Sequence, residues 1–229
     1  MDTTAKPATT PKANKHWTEV PLRVQEIHDI TRGLINDYGL VKPQGVEWTP
    51  ELFIIEKGID TIVINASGCG VMIKDYAEIL ANDPVYADKA KRISAMAKDV
   101  SEILPNFAGE IEALAEQKRA GNIPERVTYH PPCTMQHGQK IRGHVEALLG
   151  NLGVTVRLCQ DSHLCCGSAG TYSMLQPELS LELRDRKLTN IAKTEPQEIV
   201  SGNVGCINHL QSGTDVPVRH WIELVDRMI

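Results

Sequence analysis

The sequence predicts an α/β fold: a mostly parallel sheet with flanking helices, built from pseudo-repeated cysteine-rich modules of which the first is incomplete. Three observations predict it. Short apolar runs of strand length, TIVINA (61–66), RVTYH (126–130), VTVRL (154–158) and EIVSG (198–202), alternate with longer stretches of helical pattern. Cys69, Cys133, Cys165, Cys166 and Cys206 all follow a strand end, which is where open parallel sheets bind ligands. Finally, IVINASGC (62–69) and IVSGNVGC (199–206) share their first two and last two residues. Each reads as strand, turn, then Gly-Cys at a helix start.

The elements follow in order. Residues 1–16 are rich in Thr, Lys, Ala and Pro and read as a disordered tail. Residues 17–50 read as a helix and a connector. Leu22, Val24, Ile27, Ile30, Leu34, Ile35 and Tyr38 form an amphipathic stripe over 20–40, and Pro43, Gly45 and Pro50 break 41–50. Residues 51–125 read as the last piece of a first cysteine-rich module plus a helical linker. Its strand TIVINA runs into a tight turn, Ser67-Gly68-Cys69-Gly70, then a helix over about 71–82. A helical stretch over 85–119 follows, broken near Pro105. Residues 126–229 read as a complete module. It has strands at 126–130, 154–158 and 198–202, and helices over about 135–150, 177–193 and 218–228.

Composition narrows the function. Hydrophobic residues make up 41% of the 229 and aromatics only 4%, so the core is aliphatic. The net charge of −5 argues against a general nucleic-acid binder, which would show a basic stripe. No apolar run approaches the ~18 residues of a membrane span, and the first residues lack a signal-peptide core. A cytoplasmic location is expected, and there six cysteines suit metal or thiol chemistry better than disulfides.

The chemistry concentrates in one pattern: Cys133, then Cys165-Cys166-Gly167, then Cys206 and His209. Adjacent cysteines cannot both point into one apolar core. Four thiols from three loops suit a soft metal or an iron–sulfur cluster. Gly167, Ser168, Ala169 and Gly170 let the backbone turn so that both sulfurs of the pair reach one centre. A single tetrahedral zinc is the alternative, and a Cys-Cys pair serves it less well than C-x2-4-C spacing. His209, three residues past Cys206, falls on the same side of a helix start and is a weaker candidate ligand. His163, two residues before the pair, is a candidate for tuning the centre by hydrogen bonding, with Gly167 as its backbone support. His130 and His137 flank Cys133 as supporting or surface positions, and Cys159 reads as a small buried hydrophobe. Cys69 occupies a ligand-like turn, yet residues 1–68 contain no cysteine to partner it. No phosphate-binding glycine motif is present.

These residues resemble the cysteine-rich CCG domain of heterodisulfide reductase, anaerobic glycerol-3-phosphate dehydrogenase and lactate utilisation proteins. The likeness is strongest to glycolate oxidase (glycolate dehydrogenase) iron–sulfur subunits. It is carried by NASGCGVMIKDY (65–76), YADKA (86–90), CTMQHGQK (133–140), DSHLCCGSAGTY (161–172), LRDRK (183–187), NVGCINHLQSG (203–213) and VRHWIE (218–223). The resemblance implies an electron-transfer subunit without catalysis of its own. A flavin-containing partner oxidises glycolate to glyoxylate, and the iron–sulfur subunit passes the electrons toward a membrane acceptor. It also implies a cluster, [4Fe-4S] in type, on Cys133, Cys165, Cys166 and Cys206. The location it implies is cytoplasmic, peripheral at the inner face of the plasma membrane through partners. The family motif often ends C-x2-C where this chain has Cys206 and His209. Longer members begin with ferredoxin-type clusters, and residues 1–55 carry none. A separate ferredoxin-type subunit would then supply them, or the chain is a truncated or rearranged product. Two alternatives stand beside this reading: thiol–disulfide chemistry of the heterodisulfide reductase type at the cluster, and a zinc-bound or metal-free structural remnant.

Overall fold

A computed structural model describes residues 61–118 and 123–229, which lie in one packed unit. The expected tail at 1–16, helix at 20–40 and connector at 41–50 lie outside the described residues. The first strand, β1 (Ile62–Ile64), leads into helix α1 (Ser67–Lys74), then α2 (Tyr76–Ile79) and α3 (Ala87–Met96). A second strand, β2 (Ala97–Asp99), pairs parallel with β1, Ile62 opposite Ala97. Helix α4 (Val100–Ile103), a 3-10 turn (Leu104–Phe107) and α5 (Ala108–Lys118) follow.

The larger sheet comes next. Its strands are β3 (Arg126–His130), β4 (Thr155–Leu158), β5 (Glu198–Ser201) and β6 (Val218–His220), in the order β4-β3-β5-β6. Every pairing is parallel. Its connecting helices are α6 (His144–Asn151), the short α7 (Tyr172–Leu175), α8 (Pro177–Ala192) and α9 (Val204–Gln211), and α10 (Trp221–Met228) follows β6. The α/β class and the parallel sheet are as expected.

Parallel sheets of this kind are covered on both faces. One apolar cluster joins Val127, Tyr129, Val145, Leu149, Val200, Trp221 and Leu224. The other joins Cys159, Cys166, Ile191, Ile199, Cys206, Leu210 and Val218. Alternation along β5 explains the division: Ile199 serves one cluster and Val200 the other.

Four local expectations are corrected. The tight turn at 67–70 is the first turn of α1. Its leading amides find acceptors across the fold, Ser67 N–H on the Gly202 carbonyl (3.0 Å) and Gly68 N–H on Asn203 Oδ1 (3.2 Å), so the helix starts early. The helical stretch at 85–119 contains β2, formed by its pairing with β1. Its end is a capping box in which buried Asp99 accepts from Ser101 N–H and Glu102 reaches back to Asp99 N–H. The helix expected over 135–150 is a π-helical turn (Thr134–Gly138) and then α6, separated by Lys140 at φ 60° and Gly143 at φ 80°. The start of the last expected helix is β6, and α10 begins only at Trp221.

His220 fastens the two ends of the described unit. Its Nδ1 accepts from Ile222 N–H (3.1 Å), capping α10, while Nε2–H donates to the Asn65 carbonyl (2.7 Å). Only the neutral ring makes both bonds. Burial holds its pKa below the ordinary histidine value, against the opposing pull of the Asn65 carbonyl, Glu223 and Asp99. A lowered pKa means that the unfolded chain binds this proton first, so stability is lost as pH falls below about 6.5. Thermal unfolding between pH 7.5 and 5 is expected to show that loss, and His220→Gln is expected to flatten it. An identical pH slope in the variant would place the titration elsewhere.

Candidate metal centre

In the larger sheet the chain goes from β3 to β4 on one side, and β5 then lies on the other. The strand order reverses between β3 and β5, and connections leaving in opposite directions open a crevice at the carboxyl ends of these two strands. His130 is the last residue of β3 and pairs with Ser201, the last of β5. The Ser201 hydroxyl donates to the His130 carbonyl at 2.8 Å and locks the two strand ends together.

Around this point the fold gathers thiols from three loops. Cys133 follows β3, Cys165 and Cys166 lie in the loop after β4, and Cys206 is in the first turn of α9 after β5. The sulfurs form a run in which Cys133 acts on Cys165, Cys165 on Cys166 and Cys166 on Cys206. His130 Nδ1 or Nε2 and the sulfurs of Cys166 and Cys206 all lie within 4.8 Å of one another. All three residues are buried, His130 to 0% exposure, and neither of its ring nitrogens has a hydrogen-bond partner.

Charge divides unevenly along the run. The Cys165 thiol is held low by the neighbouring Cys133 thiol, then by Cys166, and by the Gly167 N–H that donates to its sulfur at 3.3 Å. Cys206 is held low by Cys166 first, with His130 and the Asn203 amide, 3.6 Å from the sulfur, adding to it. Cys133 and Cys166 are pushed up by the same contacts and by burial. The contacts along the run thus lower two of the four thiols and raise the other two. All six cysteines are free thiols.

The backbone of the Cys-Cys loop depends on Gly167, which sits at φ 97°. A Cβ there would lie 2.2 Å from the Ser180 carbonyl oxygen and 3.0 Å from His209 Nε2. The Ser180 hydroxyl in turn donates to the Gly167 carbonyl at 2.8 Å. This is where the structure places His209: its Nε2 is 3.2 Å from both the hydroxyl and the carbonyl oxygen of Ser180, behind the turn. His163 presents an exposed side chain, and its carbonyl lies 3.1 Å from His137 Nε2. Cys159 is buried in the second apolar cluster. Cys69 is an exposed residue in the first turn of α1, outside the run of four.

Cys69 is nonetheless carried by a helix that abuts the site. Its N-terminus is bonded to Gly202 and Asn203, the Ser67 hydroxyl lies 2.8 Å from that of Thr134, and the Gln139 amide donates to the Ser67 carbonyl at 3.0 Å. The two halves of the internal echo therefore meet, with α1 and α9 starting on either side of Asn203. Beside the site, a cleft of about 230 Å³ is lined by residues that include Tyr129, Pro131, Gln136, Arg142 and His163.

The residue that sequence reasoning undervalued is His130, which read as a supporting or surface position. Its signal was present, a histidine closing a strand whose next loop carries a cysteine. Only the strand order shows that this strand end lies at the reversal point. The donor set, several thiols and a buried imidazole with free nitrogens, fits iron–sulfur or zinc chemistry and not calcium or magnesium.

Comparison with known proteins agrees. The cysteine-rich domain family, CCG, matches residues 127–211. The glycolate oxidase iron-sulfur subunit of Escherichia coli (strain K12) is 43% identical over 182 residues, which are 80% of this chain and 42% of that protein. A probable glycolate oxidase iron-sulfur subunit of Bacillus subtilis (strain 168) is 28% identical over 69% of this chain and 34% of its own length. The lactate utilization protein A of Geobacillus thermodenitrificans (strain NG80-2) is 25% identical over 73% of this chain and 70% of that protein. The chain thus spans less than half the length of the two glycolate oxidase relatives. No helix among the described residues is long and apolar enough to cross a membrane.

Proposed function

This chain carries the cysteine-rich domain and is a relative of the glycolate oxidase iron-sulfur subunits; on that premise we propose that Cys133, Cys165, Cys166 and Cys206 hold an iron–sulfur centre in an electron-carrying subunit. The donor is a flavin subunit that takes two electrons and two protons from glycolate, leaving glyoxylate. The chain works in the cytoplasm, at the inner face of the membrane through its partners. A ferredoxin-type subunit is a further partner.

The observation that carries this reading is the run of four thiols closed by His130 at the sheet's reversal point. Such a centre, of the four-iron type, supplies single-electron transfer, with its potential set by burial and hydrogen bonds to sulfur. The chain's own residues account for both. Cys166 and Cys206 are buried, and the Gly167 and Asn203 N–H groups point at Cys165 and Cys206. In this reading His130 is the imidazole closest to the centre, and His209 supports the Gly167 turn from behind. Cys69 stands apart as the corresponding thiol of the first module.

The test is to purify the chain without oxygen and measure iron, sulfide and zinc with absorbance and paramagnetic resonance spectra. About four irons and four sulfides per chain are expected, lost in Cys165→Ser. Stoichiometric zinc, or no metal in the wild type, would sink the electron-transfer reading. Turnover of a disulfide by the isolated chain would point instead to the thiol chemistry of the heterodisulfide reductase type.

A further inference from the structure

Lys187 is a basic side chain shut away from solvent. It belongs to α8, is 2% exposed, and its Nζ donates to the Asp161 carbonyl at 2.6 Å. No carboxylate among the described residues lies within ion-pair distance of it. The Asp161 carboxylate is taken by Arg186, at 2.9 Å. Its neighbour Leu188 packs against the cluster that contains Cys159, Cys166 and Cys206. Burial disfavours the charged form of Lys187, and the groups that act against this are, in order, the thiols of Cys159 and Cys166, Asp161 and the Cys165 thiol.

An ammonium taken out of water without a counter-ion is strongly destabilising, by several kcal/mol in real proteins. One carbonyl oxygen does not neutralise it. Lysine is also a costly choice if the need were only to hold the loop after β4, since Arg186 already grips the same Asp161 from the next position. On α8 Lys187 lies seven residues after Ser180, whose hydroxyl bonds the Gly167 carbonyl beside the Cys-Cys pair, and four before Ile191, which packs in the cluster with Cys166 and Cys206. It therefore shares the helix face turned to the cysteine site, where thiols become thiolates when a metal binds and four thiolates around an iron–sulfur core leave a net negative charge.

We infer that Lys187 is the built-in counter-charge of the cysteine-bound centre, helping the chain retain it and holding its reduction potential up. The inference rests on the reading under Proposed function. It adds a positioning residue that touches no substrate and is not itself a ligand.

The test uses the full chain, wild type against Lys187→Met and Lys187→Arg, prepared without oxygen. Three quantities are measured: iron, sulfide and zinc per chain, the midpoint potential by a redox titration followed by paramagnetic resonance, and thermal unfolding of metal-loaded and metal-stripped protein. Removing the positive charge is expected to disfavour the reduced centre at least tenfold, ~59 mV for one electron, while Lys187→Arg stays near wild type. Stripped Lys187→Met is expected to unfold at a higher temperature than stripped wild type, because an unpaired buried charge is gone. Loaded Lys187→Met is expected to unfold lower than loaded wild type. An unchanged potential at full loading would overturn the inference. So would equal destabilisation of loaded and stripped protein, or failure of Lys187→Met to fold at all, since either makes the lysine a structural prop. Wild-type protein without iron would instead sink the electron-transfer reading. If it holds zinc, the stability comparison still decides the role of Lys187.

Discussion

Replacing Gly167 with alanine is expected to empty the metal centre while leaving the sheet intact. Two independent costs coincide at this position. At φ 97° any side chain is strained, by about 1–3 kcal/mol for a residue held in a sparsely populated region. The added methyl would also sit 2.2 Å from the Ser180 carbonyl, and overpacking costs about 1–3 kcal/mol more. Neither contact can yield easily. The Ser180 carbonyl is helix backbone, and the His209 ring beside it is held by Ser180. The loop would have to open, taking the Gly167 N–H away from the Cys165 sulfur and moving both cysteines of the pair. Iron and sulfide analysis is expected to fall to background in Gly167→Ala, with far-ultraviolet circular dichroism near wild type. Full metal content in that variant would mean that the turn is not what aims the two thiols.

Trp221→Ala is expected to produce the largest loss of stability. Among the described residues Trp221 is the largest fully buried side chain, and it opens α10 directly after β6. It belongs to the apolar cluster with Tyr129, Met135 and Val200, and its ring edge lies where a side chain on Gly202 would have to go. Truncating a buried tryptophan costs about 3–5 kcal/mol, on the order of 10 °C in unfolding temperature for a domain of this size. The cavity would lie beside the loop that leads from β5 to Cys206, so metal retention is expected to weaken along with stability. A drop of only a few degrees would show that Met135 and its neighbours collapse into the space.

The parts legible in the sequence were those with a strong local signal. RVTYH and EIVSG are β-rich runs bounded by turn residues, and they became β3 and β5. The helix from Pro177 is long, with proline at its start, and it was found almost to its ends. The two missed strands have only three residues each. Ala97-Lys98-Asp99 has no β-branched residue at all, and it is a strand because β1 lies beside it. That is tertiary context overriding propensity. The break inside 134–151 had local signs in Gly138 and Gly143, but the positive φ of Lys140 had none. The cysteines were legible as a set because of their spacing. His130 was not, because its role depends on strand order and on two nitrogens that find no partner, and neither is written in the neighbouring residues.

The all-parallel pairing has a consequence for handling the protein. Among the described residues no two neighbouring strands are joined by a hairpin, and the Asn65–His220 bond spans 155 positions along the chain. Chains dominated by such distant contacts fold slowly, in milliseconds to seconds or longer, and leave strand edges open meanwhile. During that interval the adjacent thiols at the strand ends are accessible to oxidant. Refolding in air is therefore a race that disulfide scrambling can win, and recovery from denaturant should depend on reductant at least as strongly as on temperature.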